Sequence, residues 1–173
     1  DVPIRLICRD VNGGAGSARN IGWNAATSQF VAFLDADDAW HPRKLEIQHA
    51  WFDANPNVAL CGHRCVVRRE YDPVPEVDTS ALEVSRFALP SFLVANRLST
   101  PTVMVRRSIK HRFKDGKRYS EDYLLWMQIV AAHGPAAFID LPLAFLFKAR
   151  YGAAGLSSRH WAMALLSASA GVR

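Results

Sequence analysis

The sequence predicts a single α/β domain, in which one layer of mostly parallel β-sheet is flanked by helices. The length of 173 residues fits one domain. Short apolar runs typical of buried strands alternate along the chain with segments of helical spacing. With 50% hydrophobic and 21% charged residues, the composition is that of a globular protein and excludes wholesale disorder or a disulfide-built miniprotein.

The first third of the chain predicts a β–α–β unit followed by a second helix. Residues 4–8 (IRLIC) are typical of a strand, and residues 17–26 place their apolar side chains at helical spacing. Residues 30–34 (FVAFL) form a continuous apolar run short enough for a buried strand, so a parallel pair with a right-handed crossover is expected. A helix is predicted over residues 42–55, because proline suits its first position and Asn-Pro ends it.

The remaining sequence continues this alternation. Strands are predicted at 58–69, 102–105, 137–139 and 144–147; helices in part of 81–96, at 123–133 with Gly134 as its stop, and at 161–170; and loops at 70–80 and 152–158. The chain shows no internal repeat and no low-complexity tract.

Composition also bears on the cellular compartment of the protein and on whether it spans a membrane. The three cysteines Cys8, Cys61 and Cys65 are an odd number for a disulfide framework and indicate a reducing cytosol. Cys61, His63 and Cys65 share one strand face, but small buried side chains explain them better than a metal site does. No run of about 18 apolar residues predicts a membrane span, and no signal peptide is recognisable. Because the chain opens with Asp1, we expect a fragment.

The net charge of +5 is unevenly distributed. Residues 1–60 hold five Lys/Arg and seven Asp/Glu, whereas residues 61–173 hold sixteen and nine. The segment 106–118 (RRSIKHRFKDGKR) carries seven of these cations. It is either a solvated loop or a surface for an anionic acceptor, a lipid phosphate or a membrane. Nucleic acid is disfavoured, because no stacking aromatics are interleaved with the charges.

A group of carboxylates follows the buried strand at 30–34. Asp35 and Asp37 are two residues apart, so on extended chain their side chains leave on the same side, at the carboxyl end of a strand. Mg²⁺ or Mn²⁺ held by one or two carboxylates completes its shell with substrate phosphates and water. The alternative is a turn in which Asp38 caps the next helix. A phosphatase with an aspartyl nucleophile also uses an Asp-X-Asp strand end, but Ala39 stands where its Thr or Val is expected.

Three segments resemble family 2 glycosyltransferases. Residues 12–48 (NGGAGSARNIGWNAATSQFVAFLDADDAWHPRKLEIQ) contain G-x-x-x-A-R-N-x-G, F-L-D-A-D-D and W-x-P-x-K-L-E elements similar to that family's central signature. Residues 120–126 (SEDYLLW) resemble its Glu-Asp motif at a helix start. Residues 141–143 (LPL) with 155–158 (GLSS) resemble its closing segment.

The resemblance implies a GT-A fold, a Rossmann-like architecture, and transfer of a sugar from a nucleotide-diphosphate donor to an acceptor hydroxyl with inversion. By similarity Asp37 binds Mn²⁺ or Mg²⁺, Asp35 binds the ribose or joins the metal shell, and Asp38 assists at the donor. A divalent ion would neutralise the charge that develops on the departing nucleoside diphosphate.

The same resemblance assigns residues to the acceptor side. Asp122 matches the family's general base, with Glu121 as its neighbour; the alternative is that both acids stabilise the start of a helix. Arg19 matches the arginine of the A-R-N element, and either faces the donor or pairs with an acid.

The resemblance also implies how the domain is divided, what the protein acts on and where in the cell it lies. It covers one catalytic domain over residues 1–173, with a donor and metal side at 1–60 and an acceptor side at 61–173, incomplete at its N-terminus because the family's first strands have no counterpart. A hexosyltransferase for cell-surface polysaccharide or glycolipid is expected, with a saccharide or lipid-linked acceptor. We expect a cytoplasmic protein at the inner face of the membrane, in peripheral association with it. The rival interpretations are a non-catalytic remnant of such a domain and a metal-dependent phosphohydrolase.

Overall fold

A computed structural model describes residues 3–69 and 72–147. Four α-helices and six strands alternate along this part of the chain. In chain order they are α1 (Gly14–Ala25), β1 (Phe30–Ala32), β2 (Asp38–Trp40), α2 (Lys44–Ala54), β3 (Leu60–Val67), β4 (Val84–Phe87), α3 (Leu89–Val94), β5 (Met104–Arg106), α4 (Glu121–His133) and β6 (Ala136–Leu146), with a 3-10 turn at Thr100–Thr102 before β5.

The six strands form one sheet in the order β1-β5-β3-β6-β2, and β4 also pairs with β6. The α/β class is as predicted, but the expectation of a mostly parallel sheet is wrong for the described strands. Only β3 and β6 pair in parallel, and the other four pairings are antiparallel. A parallel pair needs a long crossover, and the one between β3 and β6 runs through β4, α3, β5 and α4.

The strand β6 is longer than the two separate strands predicted at 137–139 and 144–147. Its first half pairs with β4 and its second half with β2, while β3 runs along its other edge. Pro142 lies opposite Arg64, where the register of β3 against β6 shifts. Because proline cannot donate a ladder hydrogen bond, an irregularity is where a strand tolerates it, and β6 bends without ending.

The strand predicted at 4–8 is not formed. Residues 3–9 have no strand partner in the described part of the chain, and Ile4 and Leu6 are 95% and 85% exposed. The predicted parallel partner, β1, instead pairs antiparallel with β5. An apolar run becomes a strand only when another strand supplies hydrogen bonds, so the apolar pattern alone was insufficient here.

The apolar side chains form one cluster on each face of the sheet. Leu60 and Val105 face the cluster that contains Trp23 and Trp126 of helices α1 and α4. Their sequence neighbours Cys61 and Met104 face the cluster of α2, which contains Phe52. The twofold alternation of strand side chains therefore places α1 and α4 on one face and α2 on the other.

The predicted helices within the described residues are all present. Helix α2 lies within the predicted 42–55, and α4 ends before Gly134, whose φ of 89° suits glycine. The segment 81–96, predicted as helical in part, contains the short helix α3, preceded by strand β4, which was not predicted. The predictions at 152–158 and 161–170 lie outside the described residues. Among the helices described, none has the length and apolar character required to cross a bilayer.

Candidate active site

The acidic motif after β1 folds as a tight turn. The backbone N–H of Asp38 donates to the carbonyl of Asp35 at 3.1 Å, so the extended chain predicted for Asp35 and Asp37 is wrong. Asp37 is exposed at the tip of the turn, and Asp35 is 38% exposed. Asp38 is the first residue of β2, opposite Leu146, and does not cap α2, whose N-cap is Arg43. The turn presents its acids at one end of the sheet.

One face of helix α1 carries Arg19 and Asn20 of the A-R-N element. Gly16, Arg19, Asn20 and Trp23 are separated by three, one and three residues, so they share a face. Asn20 forms two hydrogen bonds with the backbone of Phe113, donating to its carbonyl at 2.8 Å and accepting from its N–H at 2.9 Å. The motif therefore fixes the segment around Phe113 to α1.

Arg19 joins the two acidic motifs. One terminal nitrogen donates to Asp35 Oδ1 at 2.6 Å and the other to Glu121 Oε1 at 3.0 Å. Burial opposes the guanidinium charge, but the carboxylates of Asp35, Glu121 and Asp122 outweigh it and raise the pKa of Arg19. The Arg19 side chain thus connects Asp35, 16 positions away in the sequence, to Glu121, which is 102 positions away.

The Glu-Asp pair opens helix α4. Ser120, the N-cap, has a φ of 52°, which is uncommon for a residue with a Cβ and turns the chain sharply into the helix. Glu121 is 9% exposed. Burial raises its pKa, the neighbouring Asp122 adds to the rise, and Arg19 opposes it.

Both oxygens of the half-buried Asp122 accept hydrogen bonds. The Thr100 hydroxyl donates to Oδ2 at 2.9 Å, and the backbone N–H of Tyr123 donates to Oδ1 at 2.7 Å. These bonds define the orientation of the carboxylate.

A buried polar network lies beside the acidic turn, between β2 and α2. The Lys44 ammonium is fully buried, donates to Gln48 Oε1 at 2.7 Å and lies 4.1 Å from the centre of the Trp40 ring. Burial lowers the pKa of Lys44 to about 7. The indole of Trp40 donates to the carbonyl of Pro101 at 2.7 Å. The W-x-P-x-K element thereby connects the strand after the acidic turn to the Thr100–Thr102 turn.

The basic segment 106–118 is more than a solvated loop. Arg106, Arg107 and Arg112 donate to backbone carbonyls, those of Val58, Ser28 and Ile109. These three cations therefore hold chain segments together. Lys110, Lys114 and Arg118 are exposed and remain available to a partner.

The donor set of the turn suits a hard divalent cation that also binds a phosphate. Asp35 and Asp37 offer carboxylate oxygens, and Mg²⁺ or Mn²⁺ sites of this kind use one or two carboxylates with substrate phosphates. Within residues 3–69 and 72–147 no group of three or more His, Cys, Asp or Glu could hold a metal alone.

The structure brings Arg19 into direct contact with Asp35 and Glu121. Asp122 is close enough to help raise the pKa of Arg19. The roles predicted for these residues, and for Asp37 and Asp38, stay predictions. Sequence reasoning missed Thr100 and Lys44. The W-x-P-x-K spacing was a signal for the lysine, whereas an isolated threonine before a strand carries none.

Comparison with known proteins identifies the family of the chain. The model of the family described as Glycosyl transferase family 2 matches residues 1–116. The Escherichia coli protein UDP-Glc:alpha-D-GlcNAc-diphosphoundecaprenol beta-1,3-glucosyltransferase WfgD is 29% identical over 136 residues, covering 75% of this chain and 49% of WfgD. The Erwinia amylovora amylovoran biosynthesis glycosyltransferase AmsE is 28% identical over 166 residues, covering 91% and 58%. The chain spans about half the length of these relatives.

A solved structure shows the same fold. The crystal structure of S. aureus TarS with UDP-GlcNAc superposes with a TM-score of 0.63 at 19% identity, covering 91% of this chain and 47% of TarS. The likeness confirms the GT-A architecture that the sequence motifs implied.

Proposed function

The chain belongs to glycosyl transferase family 2, and from this membership we propose that it transfers a sugar from a nucleotide-diphosphate donor to an acceptor hydroxyl, with inversion at the anomeric carbon. The observation that carries the proposal is the Arg19 bridge, because it joins the acidic turn to the Glu-Asp pair in one site. Donor chemistry and acceptor activation need these two groups of acids together.

The donor side is assigned to the turn after β1. Asp37 would bind Mn²⁺ or Mg²⁺ with help from Asp35, and Asp35 and Asp38 would contact the donor. A bound divalent ion would neutralise charge on the leaving diphosphate. Arg19 fixes Asp35 at 2.6 Å, so the chain itself sets the position of that carboxylate.

The acceptor side is assigned to the start of α4. Asp122 would remove the proton from the acceptor hydroxyl while the oxygen of that hydroxyl bonds to the anomeric carbon. The bond between that carbon and the diphosphate oxygen breaks, and the nucleoside diphosphate leaves with the electron pair. Attack opposite to the leaving group inverts the configuration. Glu121 is buried and pairs with Arg19, and this pair would hold the start of α4 at the site.

The names of the relatives support a hexosyl donor and a role in polysaccharide or glycolipid synthesis. WfgD is named for UDP-Glc and a diphosphoundecaprenol-linked acceptor, and AmsE for amylovoran biosynthesis. We extend this to a saccharide or lipid-linked acceptor for the present chain. The exposed cations Lys110, Lys114 and Arg118 suit peripheral association with the inner, cytoplasmic face of a membrane.

The experiment measures UDP release from UDP-glucose and UDP-GlcNAc by the 173-residue chain with Mn²⁺, with water in place of the acceptor hydroxyl, and donor affinity by calorimetry. Asp37→Asn should abolish Mn²⁺-dependent release and keep the fold, because it removes a ligand charge at nearly constant shape. Asp122→Asn should lower turnover by about 10² to 10⁴ while donor affinity is kept, because a general base acts on the chemical step.

Asp53→Asn is the matched control, because Asp53 is an exposed acid on α2 that pairs with His49 away from the turn. It should leave UDP release unchanged. Unaltered Mn²⁺ dependence in Asp37→Asn would contradict the metal assignment. Binding of the donor with no turnover by the wild-type chain would favour the non-catalytic remnant, and phosphate release from a simple phosphate ester would favour the phosphohydrolase.

A further inference from the structure

We propose that Thr100 is a positioning residue for the general base: its hydroxyl holds the Asp122 carboxylate in the orientation that accepts the acceptor's proton. The inference rests on the proposed function, which supplies the role of Asp122. It adds a residue that lies outside the Asp-rich turn and outside the Glu-Asp pair.

The geometry at Asp122 fixes the plane of its carboxylate. Thr100 donates to Oδ2 at 2.9 Å, and the Tyr123 backbone N–H donates to Oδ1 at 2.7 Å. Thr100 is 5% exposed, so its hydroxyl is largely shielded from water and its hydrogen bond is not readily exchanged. With one donor on each oxygen, rotation of the carboxylate would break at least one bond. The remaining lone pairs are thereby held in a set direction.

The turn that carries Thr100 is itself anchored. The carbonyl of Pro101 accepts from Trp40 Nε1 at 2.7 Å, and the carbonyl of Thr102 accepts from Gln48 Nε2 at 3.1 Å. Trp40 lies in β2 and Gln48 in α2, the elements that follow the acidic turn. The Thr100–Thr102 turn therefore links the donor side of the site to the base on α4.

A purely structural role is the competing explanation, because a buried hydroxyl needs a partner whatever its function. The two explanations differ in what they predict for kinetics. A structural hydroxyl affects stability and acts alike whether residue 122 is Asp or Asn. A positioning hydroxyl affects turnover, and only while Asp122 is present.

The test compares Thr100→Val, which keeps the shape and removes the hydroxyl, with Thr100→Ser, which keeps the hydroxyl. Release of UDP from UDP-glucose and UDP-GlcNAc with Mn²⁺ is measured for each, with donor affinity by calorimetry. Thr100→Val should lower turnover about 10-fold to 100-fold, as expected for a misplaced catalytic group, with donor affinity unchanged. Thr100→Ser should restore most of the turnover.

Two further variants separate positioning from stability. In an Asp122→Asn background, Thr100→Val should cause no further loss, because the group that it orients is already absent. Thr102→Val is the matched control in the same turn. Its hydroxyl donates to the carbonyl of Ser99 at 2.8 Å, so its removal should lower the melting temperature and leave turnover unchanged.

The outcomes distinguish this inference from the function on which it rests. If Asp122→Asn lowers turnover but Thr100→Val does not, or if Thr100→Val lowers turnover equally in both backgrounds, the positioning role is wrong and the proposed function stands. If Asp122→Asn leaves turnover unchanged, or the wild-type chain releases no UDP from either donor, the proposed function fails and the role of Thr100 fails with it.

Discussion

Two cations near the acidic turn have opposite surroundings. Arg19, on α1, donates to two carboxylates and retains 14% side-chain exposure. Lys44, on α2, is fully buried and contacts neutral groups, the amide of Gln48 and the ring of Trp40. The pKa of Arg19 is raised, because nearby carboxylates outweigh its burial, whereas burial lowers the pKa of Lys44 to about 7.

The difference indicates which cation belongs to the working site. A guanidinium with two carboxylates keeps its charge and fixes acids whose positions matter for chemistry. A buried ammonium with neutral partners is costly to keep charged. We therefore expect Arg19 to affect the site and Lys44 to affect chiefly stability and its dependence on pH.

The largest expected effect is on the pH dependence of stability, in Lys44→Met. Between about pH 7 and pH 9 the unfolded chain keeps Lys44 protonated, whereas the folded chain, with its lowered pKa, releases that proton. The wild-type free energy of unfolding should therefore rise by slightly more than about 2 kcal/mol over this range. Lys44→Met should remove the rise, as measured by urea unfolding at several pH values.

The exposed Lys114 supplies the control for that measurement. Lys114→Met should leave the rise intact, because it removes an exposed ammonium and leaves Lys44 unchanged. The window ends near pH 9 because burial raises the pKa of Cys61 to about 12, and ionisation of this thiol in the unfolded chain opposes the rise at higher pH. A rise that persists in Lys44→Met would contradict the buried, neutral surroundings of Lys44.

The next effect in size is the loss of stability in Arg19→Met at neutral pH. The change leaves Glu121 buried without its counter-charge, at a cost of about 2 kcal/mol. The cost should shrink toward pH 4, because the pKa of Glu121 is already raised and a protonated carboxyl needs no cation. Arg43→Met, which removes an exposed and solvent-screened pair with Glu46, should change stability far less than Arg19→Met does.

Much of the fold follows from patterns within single segments. Pro42 and the Asn-Pro pair at 55–56 marked the bounds of α2, and Gly134 marked the end of α4. The pairing of strands depends on contacts that a local pattern does not contain. For this reason β1 was expected beside residues 4–8 and instead pairs with β5.

The site residues that belong to a recognisable sequence motif could be predicted. The sequence indicated Arg19, Asp35 and Glu121, and left open whether Arg19 faces the donor or pairs with an acid; the structure places it between two acids. Thr100 was not predictable, because its contact with Asp122 crosses 22 residues and depends on how the turn before β5 packs against α4.

The smallest expected effect is in Gly16→Ala, which tests how tightly α1 packs against the Arg19 site. A Cβ at Gly16 would lie 3.2 Å from Phe113 Cβ and 3.3 Å from Glu121 Cγ, so these neighbours must shift by a few tenths of an ångström. Alanine also favours the helix by up to about 1 kcal/mol. Gly22→Ala, in the same helix, has nothing within 4 Å of its added methyl group and should gain that full amount. Overpacking at Gly16 should cost about 1 to 2 kcal/mol of stability. The melting temperature of Gly16→Ala should therefore fall below that of Gly22→Ala. Equal melting temperatures would show that the contact between α1 and Glu121 is looser than the distances indicate.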